Sequence, residues 1–275
     1  FNIWGDDHIR SLLRCRYMLM SEWSKQHEES EGVGKMFHGN FWPNVEMDLN
    51  TGQFVENESR IRSKKALYNM ADPEWMVKNL NGDLALQMYL FKQNKTDELD
   101  LVKLKKLAKI LQVNIDLDNK DKLPENITLL LDKYGFAATK YILRKAHQFA
   151  DQNGKKLMIV LFDPYKVTKQ LLESKPPFDQ EIVNYLVENK FNYFDMNLVH
   201  VADYRNFNLS VDDYYKRYFV GHYSPAGNHF FAFSIKDKIV DWLNPKPISY
   251  QKENQKLIDF DGYLEDVSKK KQQSK

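Results

Sequence analysis

The second half of this chain alternates helix-periodic with strand-like segments, and that alternation predicts an α/β fold with a mainly parallel sheet. Three observations carry the prediction. Ala138, Tyr141, Ile142, Ala146, Phe149 and Ala150 recur at helical spacing, and Asn153 with Gly154 then stops the run. Residues 157–162 are continuously apolar and end at Asp163 and Pro164, as a strand covered on both faces does. A second helix, residues 178–188 with Ile182, Val183, Leu186 and Val187 apolar, and a short strand, residues 191–195, repeat the unit. The architecture expected is a three-layer α/β/α arrangement of flavodoxin-like kind, preceded by a largely helical segment.

In that first segment, Ile9, Leu12, Leu13, Tyr17, Met20 and Trp23 form one helical stripe, with Asp6 or Asp7 as its cap. Residues 36–54 are rich in Gly, Asn, Pro and aromatics without either period, and read as irregular. Residues 61–70 read as helix. Asp72, Pro73 and Glu74 open another, leading through Trp75, Met76, Leu80, Leu84, Leu86, Met88 and Tyr89. Residues 97–111 give the next, with Leu101, Leu104, Leu107, Ala108 and Leu111 inward, and a polar stretch then runs to Pro124. Residues 1–130 thus form a helical, lid-like segment, residues 131–250 an α/β region, and residues 251–275 a polar tail.

Composition narrows the function. With 275 residues, 43% of them hydrophobic, the chain can bury a sizeable core. Lys and Arg number 40 against 38 Asp and Glu, a net charge of +2. So no global field draws in nucleic acid, and the basic cluster Lys269, Lys270 and Lys271 reads as a frayed terminus. The single cysteine, Cys15, excludes an internal disulfide framework and any thiolate-rich metal site. No apolar stretch approaches the roughly 20 residues a membrane helix needs. Because the chain starts at Phe1 rather than Met, a cleaved export signal or a fragment would account for its beginning, which points to an extracytoplasmic site of action. Neither a metal-ligand spacing, a phosphate loop nor a dinucleotide fingerprint is present, so no cofactor is expected. Oligomeric state is left open.

One block is built for chemistry: His222-Tyr223-Ser224-Pro225-Ala226-Gly227-Asn228, leading into the apolar-periodic residues 231–243. A histidine on a turn ahead of a helix can be aimed into a cleft, with Pro225 and Gly227 shaping the turn and Asn228 able to cap the helix. His222 is therefore the candidate general base. Ligands of open parallel sheets sit beyond the carboxyl ends of the strands, and His222 follows the last strand by way of a long loop. His200, His229 and Asn40 read as structural, solvated or turn residues, and the Asn81-Gly82-Asp83 string as a loop or a helix start. Ser224 is too close in sequence to serve His222 as nucleophile.

Residues 131–245 resemble the SGNH/GDSL hydrolase family through the helix from Ala138 to Ala150, the strand from Leu157 to Phe162, the strand ending at Asp195, and the His222 to Asn228 block followed by Ala232 and a terminal helix. The resemblance implies a three-layer fold that hydrolyses or transfers acyl groups on small-molecule or carbohydrate esters. Carbohydrate O-acetyl esters are the favoured class. It implies that His222 deprotonates a serine, which attacks the ester carbonyl to give an acyl-enzyme. The family's acidic partner stands two or three residues before the histidine, where this chain has Phe219 and Val220; Asp212 and Asp213 are the nearest carboxylates. The family's first strand ends in Gly-Asp-Ser, and Trp4-Gly5-Asp6-Asp7-His8 is the similar string, with Asp7 in the serine's place. On that alignment the protein is an altered or inactive relative. Alternatively, residues 8–17 are similar to the opening of the helical insertion of long members, which puts the nucleophile ahead of Phe1 and makes residues 1–130 insertion and lid. The rival to an esterase is a non-catalytic relative that binds a partner.

Overall fold

A computed structural model describes residues 1–15 and 41–244. Residues 1–234 form one compact unit and residues 235–275 a second, of which only the end of one helix is described. The structure is mixed α/β, with a small parallel sheet.

Strand β1 (Asn2–Ile3) leads into a single helical turn, α1 (Asp7–Arg10), rather than a long helix. Leu12 and Leu13 are both buried, and Cys15 then bridges to Phe41. The remainder of the expected helix, with Tyr17, Met20 and Trp23, lies outside the described residues, as do Asn40 and residues 245–275. The stretch read as irregular contains a hairpin, β2 (Asn44–Asp48) and β3 (Gln53–Asn57). Asp48 holds its turn by accepting from the Asn50 amide at 2.8 Å and the Thr51 hydroxyl at 3.0 Å. Gly52 supplies the left-handed backbone there, with φ of 70°.

A 3-10 turn (Lys65–Ala71) replaces the helix expected over residues 61–70; none of its residues is buried, so no packing sustains a longer element. The long run from Asp72 is two helices. Asp72 caps α2 (Pro73–Leu80) through the Glu74 amide at 3.0 Å, and Asp83 caps α3 (Leu84–Lys92) through the Leu86 amide at 3.0 Å. Helix α4 (Leu101–Ile110), capped by Asp100, buries Leu104, Leu107 and Ala108 as its spacing requires.

Helix α5 (Leu123–Gln152) runs for 30 residues, with Pro124 in its first turn. Its first half puts Ile127, Leu130, Leu131 and Tyr134 into a core shared with α3, α4 and the hairpin. Its second half puts Phe136 and Leu143 under the sheet. Strand β4 (Ile159–Leu161) follows, then a π-type turn (Pro164–Thr168), the short α6 (Lys169–Leu172), α7 (Gln180–Glu188) and β5 (Tyr193–Asp195). The segment expected to be a loop before His222 holds two helices, α8 (Met196–Tyr204) and α9 (Val211–Tyr218). Helix α10 (Pro225–Leu243) ends the described chain and starts at Pro225, ahead of residue 231.

The three long-range strands are parallel in the order β1-β4-β5, with Ile3 opposite Leu161 and Leu161 opposite Asp195. Alternation sorts their side chains. Ile3, Ile159, Leu161 and Tyr193 pack with Ile182 and Leu186 of α7 and with α5, whereas Trp4, Phe162 and Phe194 pack with Met196, Tyr214 and Tyr218 of α8 and α9. Apolar clusters therefore cover both faces of the sheet.

Gly135 of α5 lets α1 approach. A Cβ there would stand 3.0 Å from the carbonyl oxygen of His8 and 3.1 Å from its carbonyl carbon. Alanine normally favours a helix over glycine by about 1 kcal/mol. Here the contact is backbone and the helices must part, so Gly135→Ala is expected to destabilise the protein by about 1–3 kcal/mol. Urea unfolding of the two proteins checks the sign; an unchanged or raised midpoint would refute the close-approach argument.

Candidate functional site

Beyond the carboxyl ends of the strands stand Gly5, Asp6 and Asp7 after β1, Asp163 after β4 and Asp195 closing β5. Asn197 ties two of these ends together. Its side-chain oxygen accepts from the Asp163 amide and from the Thr168 hydroxyl, both at 2.8 Å, while its amide nitrogen donates to Asp195 at 3.0 Å. Asp163 in turn accepts from the amides of Tyr165 and Lys166 at 3.0 Å. Its other carboxylate oxygen occupies the space of a side chain at residue 5, since a Cβ on Gly5 would fall 1.8 Å from it. The glycine of the Trp4 to Asp7 string is thus required by the aspartate of the neighbouring strand.

A cavity of about 250 Å3 opens at this edge, with Trp4, His8, Asp163, Tyr165, Lys166 and Phe178 in its walls. The Lys166 ammonium lies over the Phe178 ring, 3.2 Å from its centroid. Burial pushes the carboxyl groups of Asp163 and Asp195 up and the Lys166 ammonium down. Burial, reinforced by the Asp195 charge, pushes Asp179 up to about 7. Burial, reinforced by Lys166, lowers His8 to about 4. One oxygen of Asp179 and Nε2 of His8 are buried without a hydrogen-bond partner.

His222 sits on a tight turn closed by an antiparallel bridge between Phe219 and Tyr223, with the Val220 amide donating to the His222 carbonyl at 2.8 Å. Gly221 has φ of 88°, and the turn's Phe219 ring packs 4.7 Å from that of Tyr223 and 6.2 Å from that of Tyr165 on the cavity wall, centroid to centroid. The imidazole itself is exposed and makes no hydrogen bond or ion pair with the described residues. Ser224, not Asn228, caps α10: its hydroxyl accepts from the Gly227 amide at 3.1 Å. Gly227 is needed because a Cβ there would lie 2.4 Å from the Tyr218 carbonyl oxygen and 2.3 Å from the Tyr223 ring.

The structure does not bring Asp212 or Asp213 to His222. Both lie on the exposed first turn of α9. Asp213 accepts from the Ser210 hydroxyl at 2.7 Å and pairs with Lys216 at 3.0 Å, and these contacts hold its carboxyl below the usual range. Asp212 faces Lys169 at 3.8 Å. Asp7 accepts from the Trp4 amide at 2.9 Å and pairs with Arg10 at 3.3 Å. Ser224 points its proton at the Arg217 carbonyl, and His229 is exposed on α10.

His200, set aside in the sequence as structural or solvated, proves to organise this region from α8. It is fully buried, with Nδ1 at 2.9 Å from the Tyr214 hydroxyl and Nε2 at 2.7 Å from that of Tyr223. Tyr214 and Tyr218 reach the same oxygen of Asp203, at 3.0 and 2.8 Å. A phenol has one proton, and a carboxylate is its strongest acceptor here. We therefore assign Tyr214 as donor to Asp203 and acceptor from Nδ1 of His200, whose Nε2 then accepts from Tyr223. Burial keeps His200 neutral down to about 4. No sequence signal marked this chain beyond the density of tyrosines in residues 204–223.

Among the described residues no cluster of three His, Cys, Asp or Glu side chains could hold a metal, and no helix is long and apolar enough to cross a membrane. Comparison of the chain with protein-family models, with curated proteins and with solved structures gave no match.

Asp179 yields a pH-dependent expectation. Its folded pKa near 7 lies above the ordinary 3.8, so the folded state holds a proton between these values that the unfolded state has released. Its contribution to stability is full below pH 4 and is lost as pH rises through 7. Asp179→Asn should therefore be more stable than the parent above pH 7, by on the order of 2–4 kcal/mol. That advantage should vanish by pH 4. Denaturation series across this range measure it, and a pH-independent difference would contradict the burial argument.

Proposed function

We propose that this chain is an SGNH-type acyl-ester hydrolase or acyltransferase, built as a three-layer α/β/α sandwich, with His222 as general base. The observation that carries the reading is the packing of the His222 turn: Phe219 lies 6.2 Å, centroid to centroid, from Tyr165, a wall of the cavity beyond the strand ends. On this reading the imidazole works at the rim where open parallel sheets place their chemistry. There His222 removes the proton from a hydroxyl attacking an ester carbonyl, and the resulting imidazolium returns it to the departing alcohol. Tyr223, held by His200, fixes the neighbouring backbone. Carbohydrate O-acyl esters remain the favoured substrates.

A second reading has its own support. Asp7 stands at the carboxyl end of β1 and is engaged with Trp4 and Arg10, while Asp212 and Asp213 serve their own surface. A relative with these features and no hydroxyl against His222 would bind rather than turn over its ligand.

A fluorophosphonate probe separates the two. The hydrolase reading expects labelling and turnover of aryl acetates, both lost by at least about 100-fold in His222→Ala. The thermal midpoint should stay unchanged, because the ring is exposed. Labelling that survives the substitution removes His222 from the chemistry; absence of labelling and turnover in the parent protein leaves the binding module.

A further inference from the structure

We propose that His200 latches the His222 turn through the Tyr223 hydroxyl, and that a second proton on the buried imidazole opens it. The device belongs to the fold; it rests on the hydrolase reading only for its consequence, control of the proposed base.

Both ring nitrogens of His200 are committed. Nδ1 meets the Tyr214 hydroxyl at 2.9 Å and Nε2 the Tyr223 hydroxyl at 2.7 Å, and the ring is fully buried. Since Tyr214 gives its proton to Asp203, Nδ1 carries the single ring proton and Nε2 accepts. A proton added at Nε2 turns that acceptor into a donor. The Tyr223 hydroxyl, which has no other partner among the described residues, then has nowhere to direct its own proton.

The surroundings offer an imidazolium little else. Tyr214 and Tyr218 face it from α9, Phe219 and Tyr223 from the turn, Phe162 from β4 and Phe230 from α10. Asp203, on the same helix, is the carboxylate whose charge bears on it, and both phenols of α9 already use one of its oxygens. A buried cation short of acceptors is costly, and admitting water removes the cost. Tyr223 is the wall that can yield. Tyr214 is fully buried within α9, whereas Tyr223 is half-buried on a turn closed by its bridge to Phe219, by the Val220 amide on the His222 carbonyl and by the Ser224 amide on the Tyr218 carbonyl. Opening forfeits the stack of Tyr223 on Phe162, 4.6 Å between centroids, so the turn stays closed while the ring is neutral. Moving Tyr223 moves its neighbour His222.

Burial holds His200 at about 4 in the closed form against the ordinary 6.5. The latch is therefore intact above pH 6.5 and weakens as pH falls toward 4, because the open form binds the proton first.

Native-state amide exchange on the intact chain, corrected for the intrinsic rate at each pH, tests the latch. Protection of the Val220 and Ser224 amides should fall roughly 20-fold from pH 7 to pH 5, while amides in the middle of α5 keep theirs. His200→Gln, whose side chain does not titrate, should hold that protection within about twofold across the range, and His222→Ala should leave the fall intact. Should His200→Gln fail to fold, NMR titration of the His200 ring in the unmodified chain decides: protonation must track the loss of protection. Protonation above pH 6 with the turn still protected overturns the latch. So does protection that ignores pH, a loss shared equally by α5, a fall that survives in His200→Gln, or one that vanishes in His222→Ala. Release of the turn in a chain without ester turnover sinks the hydrolase reading alone; turnover with a pH-insensitive turn sinks the latch alone.

Discussion

The contact of α1 with α5 is the constraint on which the rest of the molecule depends. It exists because Gly135 removes the one side chain that would hold the two backbones apart. Through it, β1 exits the sheet directly into a turn laid on α5, and His8 is carried into the interior against Phe136, 5.1 Å between ring centroids. The same helix serves both the N-terminal core and the underside of the sheet, so the two cores share one axis. Glycine inside a helix normally weakens it. Thirty residues of α5, buried along two cores, carry that local loss.

At the carboxyl edge the fold accepts a different cost. Asp179 feels the charges of both Asp163 and Asp195, and burial raises all three carboxyl groups. Asn197 offsets part of this by tying the Asp163 backbone to the Asp195 side chain through two hydrogen bonds. What it does not satisfy is the outer oxygen of Asp179 and Nε2 of His8. Each orphan carries a desolvation cost that the surrounding fold has to offset.

Legibility in the sequence followed the range of the forces involved. The start of α2 could be read because the Asp72 cap is local, whereas the break at which Asp83 caps α3 lay inside a continuous apolar run and α4 is capped by Asp100, inside the helix expected over residues 97–111. The apolar run around β4 was readable because both faces of that strand are covered. The hairpin of β2 and β3 was not, because only its turn at Asp48 and Gly52 carries a local signal and its strands are held by packing on Tyr134. Helices α8 and α9 were hidden for a related reason. Tyrosines at 204, 214, 215 and 218 obscure periodicity, and what orders them is a buried network that no spacing rule describes. That Asp212 and Asp213 stand apart from His222 could not be read from its block, because it depended on where α9 turned them.

That absence changes how a histidine at this position has to work. In a triad the carboxylate both orients the imidazole and stabilises its protonated form. Here the first task falls to backbone and neighbours. The bridge from Phe219 to Tyr223, the packing of Phe219 on Tyr165 and the close seat of Gly227 beneath Tyr218 fix the turn without touching the ring. Tyr223 is anchored through His200 to a chain that ends on the half-buried Asp203, so the carboxylate of that network is several hydrogen bonds from His222. On the hydrolase reading orientation is thereby supplied and charge stabilisation falls to solvent, so a base of this kind would suit slow transfer from an activated ester better than attack on a stable one, each proton it accepts being stabilised by water and not by a held carboxylate.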